Sequence, residues 1–167
     1  MTRLTGIATA AALAALAIPF TAEAKAKAPP PAVERTGKPE AVISSTALIP
    51  PGFKILYLSG STASPPDPAK PDELGDTAAQ TQSILTKMKA QLEGMGWSMS
   101  DIVKMNVFLV AALPGARMDS PGMNGVFKTF FGTADQPNKP TRTTVQVFAL
   151  GRPNVLVEIE AVAAKAP

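Results

Sequence analysis

In three segments of this chain, Asp101–Ala112, Thr141–Leu150 and Asn154–Ala163, apolar side chains return at every second position. That period belongs to β-strands, whose side chains point alternately to the two faces of a sheet. Sorting by parity gives one face of nearly pure hydrocarbon. It holds Val103, Met105, Val107, Leu109 and Ala111, then Val145, Val147 and Ala149, then Val155, Val157, Ile159 and Ala161. Such a face needs a covering layer. A helix over about 77–95 supplies it, with Ile84, Leu85, Met88, Leu92 and Met95 in one stripe. Asp76 and Thr77 can cap this helix, Gln80 stands three after Thr77 in capping-box spacing, and Gly94 and Gly96 stop it.

The opposite parity is mixed. It holds Ile102, Lys104, Asn106, Phe108 and Val110, then Arg142, Thr144, Gln146 and Phe148, then Leu156, Glu158, Glu160 and Val162. Arg142 and Glu158 therefore fall on one face in this reading. Phe108 and Leu156 are out of place in open solvent, and the charges are out of place in a dry core without partners. Two readings stand. Copies of the sheet pack together with polar groups at the seam. Alternatively the face is solvated, and Arg142 and Glu158 form a cross-strand ion pair contributing about 0–1 kcal/mol.

The remaining elements are a weak strand in Ala41–Leu48, a strand over Phe53–Ser61 and a short helix over Gly122–Phe131. Four prolines in Pro65–Pro71 mark a surface loop, and Gly151-Arg152-Pro153 joins the last two strands. The order reads β-β-α-β-α-β-β, one α+β domain, which suits a chain of 167 residues.

The start of the chain reads differently. Arg3 precedes an apolar run from Gly6 to Phe20, and Ala22-Glu23-Ala24 has the small-residue spacing that a signal peptidase takes. Residues 1–24 are thus expected to be a signal peptide and the protein periplasmic or secreted, with no membrane span after cleavage. Residues 25–40, rich in Ala, Lys and Pro, read as a disordered tether, and 41–165 as the folded domain. The net charge of +3 is spread without a Lys/Arg block, so no nucleic-acid partner is expected.

Cysteine and histidine are both absent. That excludes a disulfide framework, a Cys/His zinc site and any Ser-His-Asp or Cys-His nucleophile. Any chemistry must run on carboxylates, Arg, Lys, Tyr, hydroxyls, backbone amides and water.

Several segments together resemble the RidA/YjgF family of reactive intermediate (enamine/imine) deaminases: Asp101-Ile102-Val103-Lys104 with Val107-Phe108, Asn124 followed by Phe130-Phe131, Pro140-Thr141-Arg142, and Val157-Glu158-Ile159-Glu160-Ala161. Ser59-Gly60 and the helix from Ala78 to Met95 fit as well, so the likeness covers about 41–165. It implies a chorismate-mutase-like fold, a homotrimer with active clefts between subunits, and no cofactor or metal. It further implies that Arg142 holds the carboxylate of an imino or oxo acid and that Glu158 positions the attacking water. Asn124, Ser59 and Thr144 would line or shape the cleft. Thr144 stands where the family usually has cysteine, the matching first strand has no tyrosine, and Leu113–Met123 is longer than usual. The function implied is hydrolysis of 2-imino or enamine acids to 2-oxo acids and ammonia. The alternatives are a non-catalytic binder of small carboxylates in the same cleft and a holdase-like or structural oligomer.

Overall fold

The computed structural model describes residues 31–167, and the expected signal peptide lies outside them. Strands are β1 (Glu34–Thr36), β2 (Thr46–Leu48), β3 (Lys54–Thr62), β4 (Ile102–Leu109), β5 (Thr141–Gln146) and β6 (Val157–Lys165). Helices α1 (Thr77–Gly94) and α2 (Ser120–Phe130) lie in sequence before β4 and β5. β3, β6, β4 and β5 form a four-stranded sheet in that order, with β4 parallel to β5 and antiparallel to β6.

The described residues hold one strand more than expected. β1 lies inside the segment read as a tether and pairs antiparallel with β2. Its Arg35 donates to the carbonyls of Ser100 (3.2 Å) and Ile102 (3.3 Å), at the entry to β4. Ser44 reaches the entry to β5 from the same arm, donating through Oγ to the Lys139 carbonyl (2.7 Å) and through its amide to that of Pro140 (3.0 Å). Composition hid this arm because it is held by side-chain bonds to distant carbonyls and not by an apolar stripe.

Helix α1 starts where expected, but its cap differs in detail. Asp76 is the N-cap and accepts from the Ala79 amide at 2.8 Å. Gln80 has turned inward and is fully buried. Its amide nitrogen donates to the carbonyls of Gly75 (3.0 Å) and Asn154 (2.8 Å), and its oxygen accepts from the Leu156 amide (2.8 Å). Ile84, Leu85, Met88 and Leu92 enter the core as the stripe requires, while Met95, beyond the last turn, is exposed. Helix α2 is capped by Asp119, which accepts from the Gly122 amide at 2.9 Å, and adds Met123 and Phe127 to the core. Asn154, in the left-handed region at φ 64°, delays β6 to Val157.

The parity sort holds for β6 and for β4 from Lys104 onward, while Ile102, sorted to the mixed face, is buried in the core across a register shift. Met105, Val107 and Leu109, with Val157, Ile159, Ala161 and Ala163, are buried beneath the helices. For β5 it fails. Arg142 pairs with Met105, Thr144 with Val107 and Gln146 with Leu109, so these three point to the helix side. Val145 pairs with Phe108 on the open face and is 40% exposed. β5 is an edge strand, and its one valine, Val145, faces the open side and not the core.

Candidate functional site

Arg142 sits on the helix side of β5, beneath α2. Its Nη2 donates to Asn124 Oδ1 at 2.7 Å, its Nη1 approaches Met123 Sδ at 3.5 Å, and its guanidinium carbon stands 4.4 Å from the centre of the Phe127 ring. Helix periodicity explains the set, since residues 123, 124 and 127 share one flank of α2. Among the described residues no carboxylate pairs with this guanidinium. Burial lowers its proton affinity below the ordinary arginine value. Arginine nonetheless keeps its charge in proteins, so a half-buried cation is left with donors to spare.

Thr144 lies two residues further along the same side, and its Oγ1 is buried without a hydrogen-bond partner. Gln146 follows at the strand end. Its Oε1 accepts from the Met118 amide (2.9 Å) and its Nε2 donates to the Ala116 carbonyl (3.3 Å), so it latches the long loop before α2 on both sides of Arg117. Replacing Gln146 with Leu should free that loop. Trypsin cleavage after Arg117 is expected to accelerate about tenfold, with stability changed by under about 1 kcal/mol. An unchanged cleavage rate would show the latch to be idle.

Glu158 occupies the other face of the sheet. It pairs with Phe108 of β4 and Thr62 of β3, at the opposite parity from Met105. Arg142 and Glu158 therefore do not share a face within one protomer, which corrects the sorting that put them together. The physical reason is the parallel register of β5, which sets Arg142 beside Met105. Their cross-strand ion pair does not form either.

The open face also carries Glu160, whose Oε1 accepts from Asn106 Nδ2 at 2.7 Å. No group among the described residues donates to the Glu158 carboxylate, which leaves its lone pairs free for water. Ser59 begins an irregularity between Leu58 and Ser61, where β3 carries two residues opposite Glu160. It lines a hollow of about 410 Å³ with Tyr57, Lys104, Asn106, Glu160 and Val162. Tyr57, the lone tyrosine, is 79% exposed there. Of the five residues expected to form the site, Arg142, Asn124 and Thr144 belong to the helix side, and Glu158 and Ser59 to the open face.

Gln146, Asn106, Glu160 and Gly60 were not among those five. Only Gly60 carried a local signal, because a glycine within a strand marks a bulge or a close approach. The described residues contain no group of three or more Asp or Glu placed to hold a metal ion, and no helix long and apolar enough to cross a membrane.

Two helices on one face of a mixed sheet, with a half-buried arginine under the second helix, define an α+β domain. The family model described as Endoribonuclease L-PSP matches residues 45–165. The chain belongs to this family, the RidA/YjgF proteins. A RutC family protein of Pyrococcus horikoshii is 38% identical over 112 residues, which is 66% of this chain and 79% of the relative. A 2-iminobutanoate/2-iminopropanoate deaminase of Dermatophagoides farinae is 39% identical over 88 residues, 53% of this chain and 61% of that protein. Among solved structures, E. coli TdcF with bound serine superposes with a TM-score of 0.54 at 30% identity, over 76% of this chain and 97% of that one.

Proposed function

We propose that this chain is an exported imine deaminase that converts 2-imino or enamine acids to 2-oxo acids and ammonia. The observation that carries the reading is the half-buried Arg142 guanidinium with no carboxylate partner among the described residues. Such a group, oriented by Asn124 and backed by Phe127, is built to receive an anion. A guanidinium fork grips a carboxylate through two parallel N–H donors. The deaminase relative favours an imino acid as that anion. The spread of positive charge favours a small acid over RNA.

The chemistry asks little more of the protein. With the imine nitrogen protonated, water adds through its oxygen to the imine carbon and gives up a proton. The nitrogen takes up that proton, the C–N bond breaks, the new hydroxyl gives up its proton as the C=O bond forms, and ammonia leaves behind the 2-oxo acid. Glu158 orients that water and relays its proton, a role worth on the order of 10²–10⁴-fold in rate. Thr144 lends its unpartnered hydroxyl to the substrate. Ser59 shapes the wall on the Glu158 side.

Because the two principal groups face opposite sides of one sheet, the active cleft is completed between protomers. Arg142 comes from one copy and Glu158 from the next, in a homotrimer. The apolar groups on the open face, Tyr57, Phe108, Val145 and Val162, supply adhesive area for that assembly.

Ammonia release from an imine generated in situ tests the reading. Arg142→Ala should lower kcat/KM by about 10²–10³-fold, the loss of a charge-assisted pair, while Arg142→Lys recovers only part of it. Equal rates for wild type and Arg142→Ala would end the assignment. The separation of Arg142 and Glu158 within a protomer favours one rival, a carboxylate-binding protein without turnover. In that case calorimetry detects 2-oxo acid binding that depends on Arg142, Glu158→Gln leaves it intact, and no ammonia forms.

A further inference from the structure

Gly60 is the one glycine inside the four-stranded sheet, in the irregular stretch of β3 opposite β6. Glycine at a bulge is usually explained by a left-handed backbone. That explanation fails here, because Gly60 is not among the glycines with positive φ. Any residue could adopt its backbone. What the position excludes is a side chain. A methyl group at residue 60 would overlap Glu158 Oε1 outright, and would stand 3.0 Å from Glu158 Cδ and 3.2 Å from Cγ. All three nearest atoms belong to Glu158.

We propose that Gly60 is a positioning residue for Glu158: its bare Cα is the seat across which the carboxylate lies. The two acids of β6 are then held by different means. Glu160 is tied by a hydrogen bond from Asn106, which occupies one of its oxygens. Glu158 is held by shape, with its stem laid over residue 60 and its oxygens unencumbered. A carboxylate that must hold a water needs this arrangement, since a hydrogen bond from the protein would compete for the lone pairs the water uses. The inference rests on the role given to Glu158 above. It adds why glycine, and no other small residue, stands beside that acid.

The test is a double-mutant cycle of Gly60→Ala and Glu158→Ala, read by ammonia release and by thermal unfolding. In the Gly60→Ala protein the carboxylate must leave its seat. A displacement on the ångström scale is expected to lower kcat about 10²-fold, with KM within about threefold because the Arg142 side is untouched. In the Glu158→Ala background the clash partner is gone, so adding Gly60→Ala should change neither kcat nor the unfolding midpoint. A kcat within about twofold of wild type for Gly60→Ala overturns the proposal. So does an equal loss in both backgrounds, since that would make the glycine a requirement of the backbone alone.

Should Gly60→Ala fail to fold, Glu158→Ala must rescue it, and failure to rescue overturns the proposal as well. The coupling in unfolding needs no substrate. It therefore separates failure of the seat from failure of the deaminase reading, which shows instead as no ammonia release by the wild-type protein, and from failure of the role given to Glu158, which shows as full activity in Glu158→Gln.

Discussion

Two variants that are each nearly inactive, Arg142→Ala and Glu158→Gln, recover about a quarter of wild-type activity when unfolded together and reassembled at equal concentration. The expectation follows from geometry. Arg142 is on the helix side of β5, beside Met105, and Glu158 is on the open side of β6, beside Phe108. No side-chain rotation carries either group through the sheet, so a cleft holding both takes one from each of two copies. With random mixing, a cleft draws its arginine from a Glu158→Gln protomer half the time and its glutamate from an Arg142→Ala protomer half the time. The product is about one cleft in four. Each variant alone should retain on the order of 10⁻² of wild-type activity or less. Recovery thus stands well over tenfold above the background. The check is ammonia release from the co-refolded mixture against each variant refolded alone. A mixture no better than its components would mean that the two residues do not serve a shared cleft.

The second large effect concerns stability. Gln80→Leu should cost about 2–4 kcal/mol, read as a midpoint lower by about 10 °C in thermal unfolding. The buried amide satisfies the carbonyls of Gly75 and Asn154 and the amide of Leu156 at once, at 2.8–3.0 Å. Leucine has a similar volume, fills the space and leaves all three groups without their partner. Gln80→Glu separates hydrogen bonding from packing further. Its carboxylate can still accept from Leu156 but turns two donated bonds into oxygen–oxygen contacts, so it should be no better than leucine near neutral pH. The site feels the loss too, because Asn154 and Leu156 lead directly into β6 and Glu158. A change below about 1 kcal/mol with an unchanged denaturant slope would mean that water replaces the amide.

The core was legible from the chain because its signal is local. Ile84, Leu85, Met88 and Leu92 recur with the helix period, and Met105, Val107, Leu109, Val157 and Ile159 alternate with the strand period. All of them are buried. The candidate site residues were named through resemblance alone, and their arrangement was not legible. Val145, Val147 and Ala149 alternate as the core residues of β4 do, and nothing local reveals that the strand ends at Gln146 or that Val145 faces outward on an edge strand. The arm around Arg35 was missed for a related reason: its bonds run to carbonyls 65 and 67 residues away, and those leave no trace in composition.

By itself, the order of residues in this chain determined the helices and every strand but β1, which faces of β4 and β6 are dry, and that any chemistry must proceed without cysteine or histidine. Those properties depend on neighbours within a few positions, or on composition alone. Only the tertiary structure decided the side to which Arg142 points, the inward turn of Gln80 and the contact of Gly60 with Glu158. Each depends on the register between strands or helices far apart in the chain, and a shift of one residue in that register sends a side chain to the other face.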